Sequence, residues 1–141
     1  MKILFVCEYN ACRSQIAEGL ARASLPSGHF VASAGLYPGK VHPFTVEVMK
    51  EIGIDISGHW SKRLHDISDR TFDLAVVLAE PALDPVLAIG AKKTILMAVA
   101  DPAALPGTNE ILRQRLRACR DDLRKRLANL QDLLNQAWEE D

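Results

Sequence analysis

The chain has 141 residues, of which 48% are hydrophobic; this is enough for one core and too little length for two ordinary domains, so we expect a single domain over residues 1–141. Its 17 basic and 18 acidic residues give a net charge of -1, which excludes an overall field that recruits nucleic acid or an anionic membrane. Three cysteines without metal-type pairing, and no signal-peptide core or membrane-length apolar run, predict a soluble, cytoplasmic protein.

The N-terminal part of the chain alternates predicted strands and helices. Residues 2–6 form a short β-rich run that ends at Cys7, and a polar loop then leads to apolar residues at helical spacing over 16–21. Residues 29–33 predict a second strand. From Pro43, the apolar spacing up to residue 52 predicts a helix with proline in its first turn.

Two later segments, residues 73–78 and 94–99, are continuous apolar runs rich in β-branched side chains. Runs without alternation are typical of parallel strands that are covered on both faces. Strands that alternate with helices favour right-handed crossovers. The predicted fold is therefore an α/β fold of three layers, a parallel sheet between helices.

The last segment predicts one long amphipathic helix over about 109–138, with Thr108 as its N-cap and Glu110 in its first turn. Such a helix is longer than a small domain needs, so its end near Trp138 is expected to project or to pair with a second copy in a homodimer. Its arginines are interleaved with aspartates and lack aromatic partners, which favours a solvated face over a nucleic-acid surface.

The loop between the first strand and the first helix carries a cysteine and an arginine six positions apart, Cys7 and Arg13. A loop that leads into a helix can turn its N–H groups around a tetrahedral anion, in front of the positive end of the helix dipole. The same field favours the thiolate form of Cys7. We therefore predict that an oxyanion is bound by the residues of this loop, namely Glu8, Tyr9, Asn10, Ala11, Cys12, Arg13 and Ser14.

Each polar residue of this loop suits one step of an attack by the Cys7 thiolate. Arg13 offers a planar fork for two oxygens of the anion. Ser14 can donate its hydroxyl to the sulfur and stabilise it as a leaving group. Asn10 tolerates left-handed backbone angles and can fix the loop through its side chain, whereas Glu8 is expected to point away from an anion.

A thiolate cleaves a poor leaving group slowly unless an acid protonates the departing oxygen. Asp101 is the best candidate, because it follows the predicted strand 94–99, whose end lies at the same edge of the sheet as Cys7. Pro102 would stiffen the loop that presents the carboxyl group. Alternatively, Asp101 and Pro102 only begin a turn, and Asp101 has no catalytic role.

Four segments together resemble the low-molecular-weight protein tyrosine phosphatases and the related thioredoxin-coupled arsenate reductases. They are Val6-Cys7-x-x-Asn10-x-Cys12-Arg13-Ser14, Ser33-Ala34-Gly35, Gly53-Ile54-Asp55-Ile56-Ser57 and Asp101-Pro102. The resemblance implies a central four-stranded parallel sheet, with Cys7 as nucleophile, Arg13 as anion clamp and Asp101 as general acid. It also implies that Ser33 supports Asn10 beneath the loop.

The chain departs from this family in two places. Ala103 and Ala104 stand where family phosphatases typically carry aromatic residues that stack on phosphotyrosine. Residues 78–85 hold no cysteine, although the arsenate reductases usually carry two after the third strand. Arsenate reduction would then need an external thiol such as glutaredoxin or mycothiol, or else Cys12 as a redox partner of Cys7.

The leading hypothesis is a cysteine-dependent phosphomonoester hydrolase that acts on a phosphorylated protein or small molecule through a phosphocysteine at Cys7. Arsenate reduction at the same loop and a non-catalytic oxyanion-binding module are the alternatives. No cofactor is implied, and the four histidines show no spacing typical of metal ligands. Three aromatic residues have two possible roles: they border the mouth of the site and select the substrate, or they serve ordinary packing. They are Tyr9, Tyr37 and Trp60.

Overall fold

The sheet has four strands, and all of its neighbouring pairs are parallel. The computed structural model describes residues 1–139, and the surroundings of side chains as far as residue 135. The strands are β1 (Lys2–Cys7), β2 (Phe30–Gly35), β3 (Leu74–Val77) and β4 (Lys93–Leu96), in the order β2-β1-β3-β4. The predicted four-stranded parallel sheet is confirmed.

The helices and short turns cover both faces of this sheet. The helices are α1 (Arg13–Ser24), α2 (Pro43–Lys50), α3 (Leu83–Leu87), α4 (Asn109–Arg126) and α5 (Leu130–Glu139), with 3-10 turns at Leu64–Asp66 and Glu80–Ala82. The sequence pattern predicted α1, α2 and α4, but not α3 or the two turns. Across the described residues, no helix combines the length and the apolar character that crossing a bilayer requires.

Strand β1 lies in the middle of the sheet and contributes to two apolar cores. Ile3 and Phe5 pack on the side of α1, α2, α4 and α5, whereas Leu4 and Val6 pack on the side of α3. All four side chains are fully buried. Because the side chains of a strand alternate between faces, an uninterrupted apolar run is what a strand covered on both sides requires.

The two later strands differ in how far they are covered. β3 is buried along its whole length, as predicted. β4 is an edge strand that is only half-buried, and its Leu96 is exposed, so the prediction of a strand covered on both faces is wrong there. The chain beyond β4 still follows the sheet, since Val99 N donates to Leu78 O at 3.0 Å.

The C-terminal segment is two helices rather than one over 109–138. Thr108 caps α4 by accepting a bond from Ile111 N at 3.2 Å, but α4 ends at Arg126 and a turn over residues 127–129 precedes α5. This turn keeps Leu130 and Leu134 in the same core as α1. The side chain of Trp138, and with it the predicted pairing of a second copy, lies outside the described residues.

Ion pairs join α2 to α4, and they account for part of the arginine run. Arg113 lies 2.8 Å from Glu47, and Glu51 lies 2.9 Å from Arg117 and 2.7 Å from Arg120. Arg120 is buried and also donates to a carbonyl of α2. The predicted solvated face is therefore wrong for Arg120, whereas Arg113 and Arg117 stay partly exposed while they pair with α2 and its C-cap.

We expect Glu51→Gln to lower the thermal stability at pH 7. The hydrogen bonds from Arg117 and then from Arg120 lower the pKa of Glu51 from 4.5 to about 2. Folding lowers the pKa of this carboxyl group, so the group stabilises the fold fully at a pH above its pKa in the unfolded chain. The stabilisation is lost as the pH falls toward the pKa in the folded protein. The difference in Tm from the wild type should thus persist at pH 5 and shrink between pH 4.5 and pH 2.

Thermal unfolding of both proteins across this pH range measures the effect. Glu80→Gln is the control, because it removes the charge of an exposed glutamate outside the α2–α4 pairs. A Glu51→Gln protein that matches the wild type at pH 7 would contradict the role of these pairs.

Candidate active site

The loop between β1 and α1 is held in place by hydrogen bonds that its carbonyl groups accept from the surrounding segments. Every carbonyl from residue 7 to residue 12 accepts a hydrogen bond: from Leu36 N, Tyr37 N, Ser61 Oγ, Gln15 Nε2, His42 N and Ile16 N in that order, at 2.9 to 3.3 Å. In contrast, none of the amide N–H groups of residues 8–12 donates to another described residue. The loop therefore keeps its donors for a ligand, as an oxyanion cradle requires.

Two backbone features allow the loop to close tightly. Asn10 has a φ of 54°, the left-handed conformation that asparagine tolerates better than most residues. The end of β2 passes directly beneath it, since a Cβ placed on Gly35 would lie 2.7 Å from Asn10 N. A residue with a side chain at position 35 would therefore push the loop outward.

Cys7 lies at the bottom of the loop, at the carboxyl end of β1, and is almost fully buried. Its Sγ is 2.8 Å from Ser14 Oγ in the first turn of α1. This turn has no acidic residue, so the positive end of the helix faces the sulfur without a competing charge from the helix itself. The Ser14 hydroxyl is therefore within hydrogen-bonding distance of the sulfur.

The side chain of Asn10 holds the loop to three other segments. Its Nδ2 donates to Ser14 Oγ at 2.7 Å and to Ser33 Oγ at 2.9 Å. Its Oδ1 accepts from Gln15 Nε2 and from Lys62 N, both at 2.9 Å. The structure thus places Ser33 against Asn10, as the resemblance implies, and adds partners that the sequence did not indicate.

A buried acidic network extends from Ser33 away from the loop. Glu18 accepts from Ser33 Oγ at 2.6 Å and from Arg22 Nε at 3.0 Å, and lies 3.4 Å from His59 Nε2. Burial lowers the pKa of His59 below 6.5, and this effect outweighs the attraction of Glu18. The sequence signal for Glu18 was its position one helical turn after Gln15, but nothing in the sequence linked His59 to it.

Arg13 lies over the cradle with its guanidinium shared among three acceptors. Nη1 donates to Val99 O at 2.9 Å, and this hydrogen bond fixes the side chain of Arg13, which is only 6% exposed. Nη2 is 3.9 Å from the Asp101 carboxylate and 3.5 Å from that of Glu8. The structure therefore brings Asp101 to the same site as Arg13, and it places Glu8 against Arg13 rather than pointing away as expected.

The other two cysteines, Cys12 at the end of the loop and Cys119 on α4, are buried free thiols, like Cys7. Burial raises the pKa of Cys12 to about 11 and that of Cys119 to about 12, so both are protonated at neutral pH. Cys12 precedes α1, next to the buried Thr45 hydroxyl. Cys119 lies in the apolar core and also lines a cavity of about 390 Å³ that Asp101 borders.

Exposed aromatic side chains lie around the loop. The rings of Tyr9 and Tyr37 are 5.5 Å apart between centroids, and each residue is about half exposed. Trp60 is 67% exposed and carries the Lys62 ammonium 4.6 Å above its ring. It borders a cavity of about 570 Å³ between β2 and residues 60–69. Among the described residues, no group of three or more His, Cys, Asp or Glu side chains could hold a metal ion.

We expect Asn10→Ala to destabilise the protein by about 3 kcal/mol, because it leaves several buried partners without hydrogen bonds and places alanine at a positive φ. Asn10→Gly loses the same side chain without the backbone strain. Its free energy of unfolding should therefore be about 1 kcal/mol higher than that of Asn10→Ala. Urea unfolding of both variants measures the two contributions. Equal stabilities would show that the backbone conformation is not constrained, and a wild-type value for both would remove Asn10 as the anchor of the loop.

Comparison with known proteins identifies where this arrangement recurs. The sequence model of the low molecular weight phosphotyrosine protein phosphatase family matches residues 2–139. The chain is 38% identical to an arsenate reductase of Halalkalibacterium halodurans over 89% of this chain and 91% of that one. It is 40% identical to a glutaredoxin arsenate reductase of Synechocystis over 55% of this chain, and the match spans only 59% of that protein.

Solved structures of similar proteins include both reductases and phosphatases. An arsenate reductase in the phosphate-binding state superposes with a TM-score of 0.76 at 32% identity, over 92% of this chain and 95% of that one. A low molecular weight protein tyrosine phosphatase from T. tengcongensis gives 0.75 at 28% identity, over 94% and 98%. The YwlE arginine phosphatase from Geobacillus stearothermophilus gives 0.74 at 25% identity, over 99% and 96%.

The family match covers the cradle loop, the Asn10–Ser33 contact and the Asp101 loop in one alignment, and its solved relatives share the fold that positions them. The chain therefore belongs to the low molecular weight phosphotyrosine protein phosphatase family.

Proposed function

We propose that this protein is a phosphomonoester hydrolase that works through a phosphocysteine intermediate on Cys7. The observation that carries the proposal is the 2.8 Å contact between Cys7 Sγ and Ser14 Oγ, inside a loop whose carbonyls are all bonded outward. Such a loop binds the phosphoryl oxygens through its free N–H groups, directly in front of the sulfur.

In the first step, the Cys7 thiolate attacks phosphorus and the ester oxygen leaves with the bonding electrons. Arg13 Nη2 faces the equatorial oxygens, since Nη1 is already held by Val99 O. Asp101, whose carboxyl lies 3.9 Å from Nη2, donates the proton that the leaving oxygen needs.

In the second step, water attacks the phosphocysteine and the sulfur leaves. Asp101, now ionised, accepts a proton from this water. The Ser14 hydroxyl then stabilises the departing thiolate, because it lies within hydrogen-bonding distance of Sγ. Inorganic phosphate and the free enzyme are the products.

The substrate class is a phosphomonoester, without a strong preference for phosphotyrosine. Ala103 and Ala104 follow Asp101 and Pro102, so this side of the site offers no ring to stack on a phosphotyrosine. The paired rings of Tyr9, in the loop, and Tyr37, whose N–H donates to Glu8 O, are the aromatic groups that we expect a substrate to contact. Three free, buried cysteines also suit a reducing compartment, and we place the protein in the cytoplasm.

The purified protein should hydrolyse para-nitrophenyl phosphate, and Cys7→Ser should abolish the reaction. Asp101→Asn should lower kcat/KM on phenyl phosphate by about 10²- to 10⁴-fold, because kcat/KM reports the first step alone and that leaving group requires protonation. The loss should be smaller on para-nitrophenyl phosphate, whose leaving group is more acidic. Steady-state kinetics on both esters separates the acid from a merely structural role for Asp101.

Binding of inorganic phosphate by the Cys7→Ser protein, measured by calorimetry, is the control for an intact cradle. Turnover by Cys7→Ser would rule out the mechanism. Equal losses on the two esters in Asp101→Asn would rule out Asp101 as the acid. Phosphate binding by a wild type that turns over neither ester would favour an oxyanion-binding module.

Arsenate reduction is the second candidate, favoured by the presence of a second thiol, Cys12, in the cradle loop and by the names of the reductase relatives. Cys7 would form a bond to arsenic with loss of hydroxide. An attacking thiol would then form a disulfide with Cys7, and the electron pair of the broken sulfur–arsenic bond would remain on arsenic as arsenite leaves. Because burial keeps Cys12 protonated at neutral pH, an external thiol such as a glutaredoxin is the preferred attacker.

Arsenite production from arsenate should then depend on added glutathione and glutaredoxin, survive in Cys12→Ala and disappear in Cys7→Ser. Complete loss of the reaction in Cys12→Ala would make Cys12 the attacking thiol instead. If the protein hydrolyses esters normally but forms no arsenite with any thiol, arsenate reduction is ruled out and hydrolysis remains as the function.

A further inference from the structure

The Glu8 carboxylate is an unexpected group in a site for anions. It follows Cys7 directly in the cradle loop, and its Oε1 lies 3.5 Å from Arg13 Nη2. The side chain is about one third exposed, so it can move into solvent without breaking the core. Arg13, Ser14 and Asp101 are accounted for by the hydrolytic steps above, and Asn10 by the hydrogen bonds that hold the loop, but Glu8 is not.

The contacts of Arg13 show that this ion pair is replaceable. Nη1 is fixed by Val99 O at 2.9 Å, whereas the ion pairs of Nη2 with described residues are both long, at 3.5 Å to Glu8 and 3.9 Å to Asp101. Charge-assisted hydrogen bonds from arginine normally have lengths of about 2.8 Å. An oxyanion in the cradle could therefore bind Nη2 more closely than Glu8 does, and it would displace Glu8 toward solvent.

The charges around the cradle make the position of Glu8 costly for an anionic ligand. The proposed Cys7 thiolate, Glu8 and Asp101 lie around the buried guanidinium of Arg13, and the start of α1 and the loop amides add to its positive field. Arg115, across the cavity beside Asp101, is directed to the carbonyls of Leu105 and Pro106 instead. A displaced Glu8 remains within a few ångströms of the ligand, where it repels an anion and attracts a cation.

A second observation points to a cation at the same mouth. Tyr9 follows Glu8, and its ring pairs with that of Tyr37, both about half exposed. Exposed aromatic rings next to a carboxylate are a common binding environment for a lysine or arginine side chain. Carboxylate and rings together offer a cationic group an attraction that the cradle alone does not.

We propose that Glu8 is a selectivity residue: it serves as the counterion of Arg13 in the empty cradle, weakens the binding of free phosphate, and favours phosphorylated substrates that carry a cationic side chain beside the phosphate. The proposal rests on the hydrolase function above, because it presumes that the cradle binds a phosphoryl group. Its consequence is reduced inhibition by inorganic phosphate, which is both the reaction product and an abundant cellular anion.

The test compares the wild type with Glu8→Gln. Asp69→Asn is the matched control, since it removes an exposed carboxylate that pairs with Lys2 at the opposite end of β1. The substrates are two phosphotyrosine peptides that differ only in having lysine or glutamate after the phosphorylated residue. The inhibition constant of inorganic phosphate is measured with para-nitrophenyl phosphate as the substrate.

Glu8→Gln should lower the inhibition constant of phosphate about tenfold at low salt and less at 0.5 M salt, where charges are screened. It should also abolish a wild-type preference for the lysine peptide in kcat/KM, and Glu8→Lys should reverse that preference. Asp69→Asn should behave as the wild type. Calorimetric binding of phosphate in the Cys7→Ser background should show the same tenfold change, independently of turnover.

A Glu8→Gln protein with unchanged phosphate binding and an unchanged peptide ratio would overturn the role of Glu8 while leaving the hydrolase intact. A wild type that neither binds phosphate nor hydrolyses any ester would instead remove the hydrolase function, and the role of Glu8 with it. Circular dichroism of each variant excludes unfolding as the cause of a loss.

Discussion

The site depends on one buried side chain, the amide of Asn10. Its residue adopts a backbone conformation that reverses the loop, and its amide satisfies donors or acceptors on α1, β2 and the segment before the first 3-10 turn. A buried amide with all its partners in place resists displacement, because any movement leaves polar groups unsatisfied. The N–H groups of the cradle are therefore held in position before a ligand arrives, which is the basis of electrostatic stabilisation in a preorganised site.

The topology of the sheet explains why the proposed nucleophile and the proposed acid lie at the same edge of the sheet. In the order β2-β1-β3-β4, the chain leaves the central β1 toward one edge and later returns to fill the other side. Loops that follow the carboxyl ends of parallel strands then face one another across the sheet edge. Cys7 ends β1 and Asp101 follows β4, so residues 94 positions apart in sequence come together around Arg13.

Charge at this site is balanced by few positive groups. One buried guanidinium serves a carbonyl and two carboxylates, and the remaining positive field comes from amides and the start of α1. Such a site discriminates by the charge that a ligand carries as much as by its shape. The two proposed activities, phosphate ester cleavage and arsenate reduction, would use the same cradle and differ in what attacks a proposed adduct on Cys7, water or a thiol.

The sequence by itself determined the parts of the protein that depend on local chemistry. Several patterns each act within a few residues, and they predicted the parallel sheet and most helices: the apolar run of β1, the proline at the start of α2 and the Thr108 cap. The Cys7–Arg13 spacing likewise predicted the cradle. Only the tertiary structure decided that Glu8 faces Arg13, that Glu18 and His59 extend the Asn10 network, and that the last helix breaks at residues 127–129. These features depend on contacts between segments far apart in the chain, and packing between such segments leaves no periodic signal in the sequence.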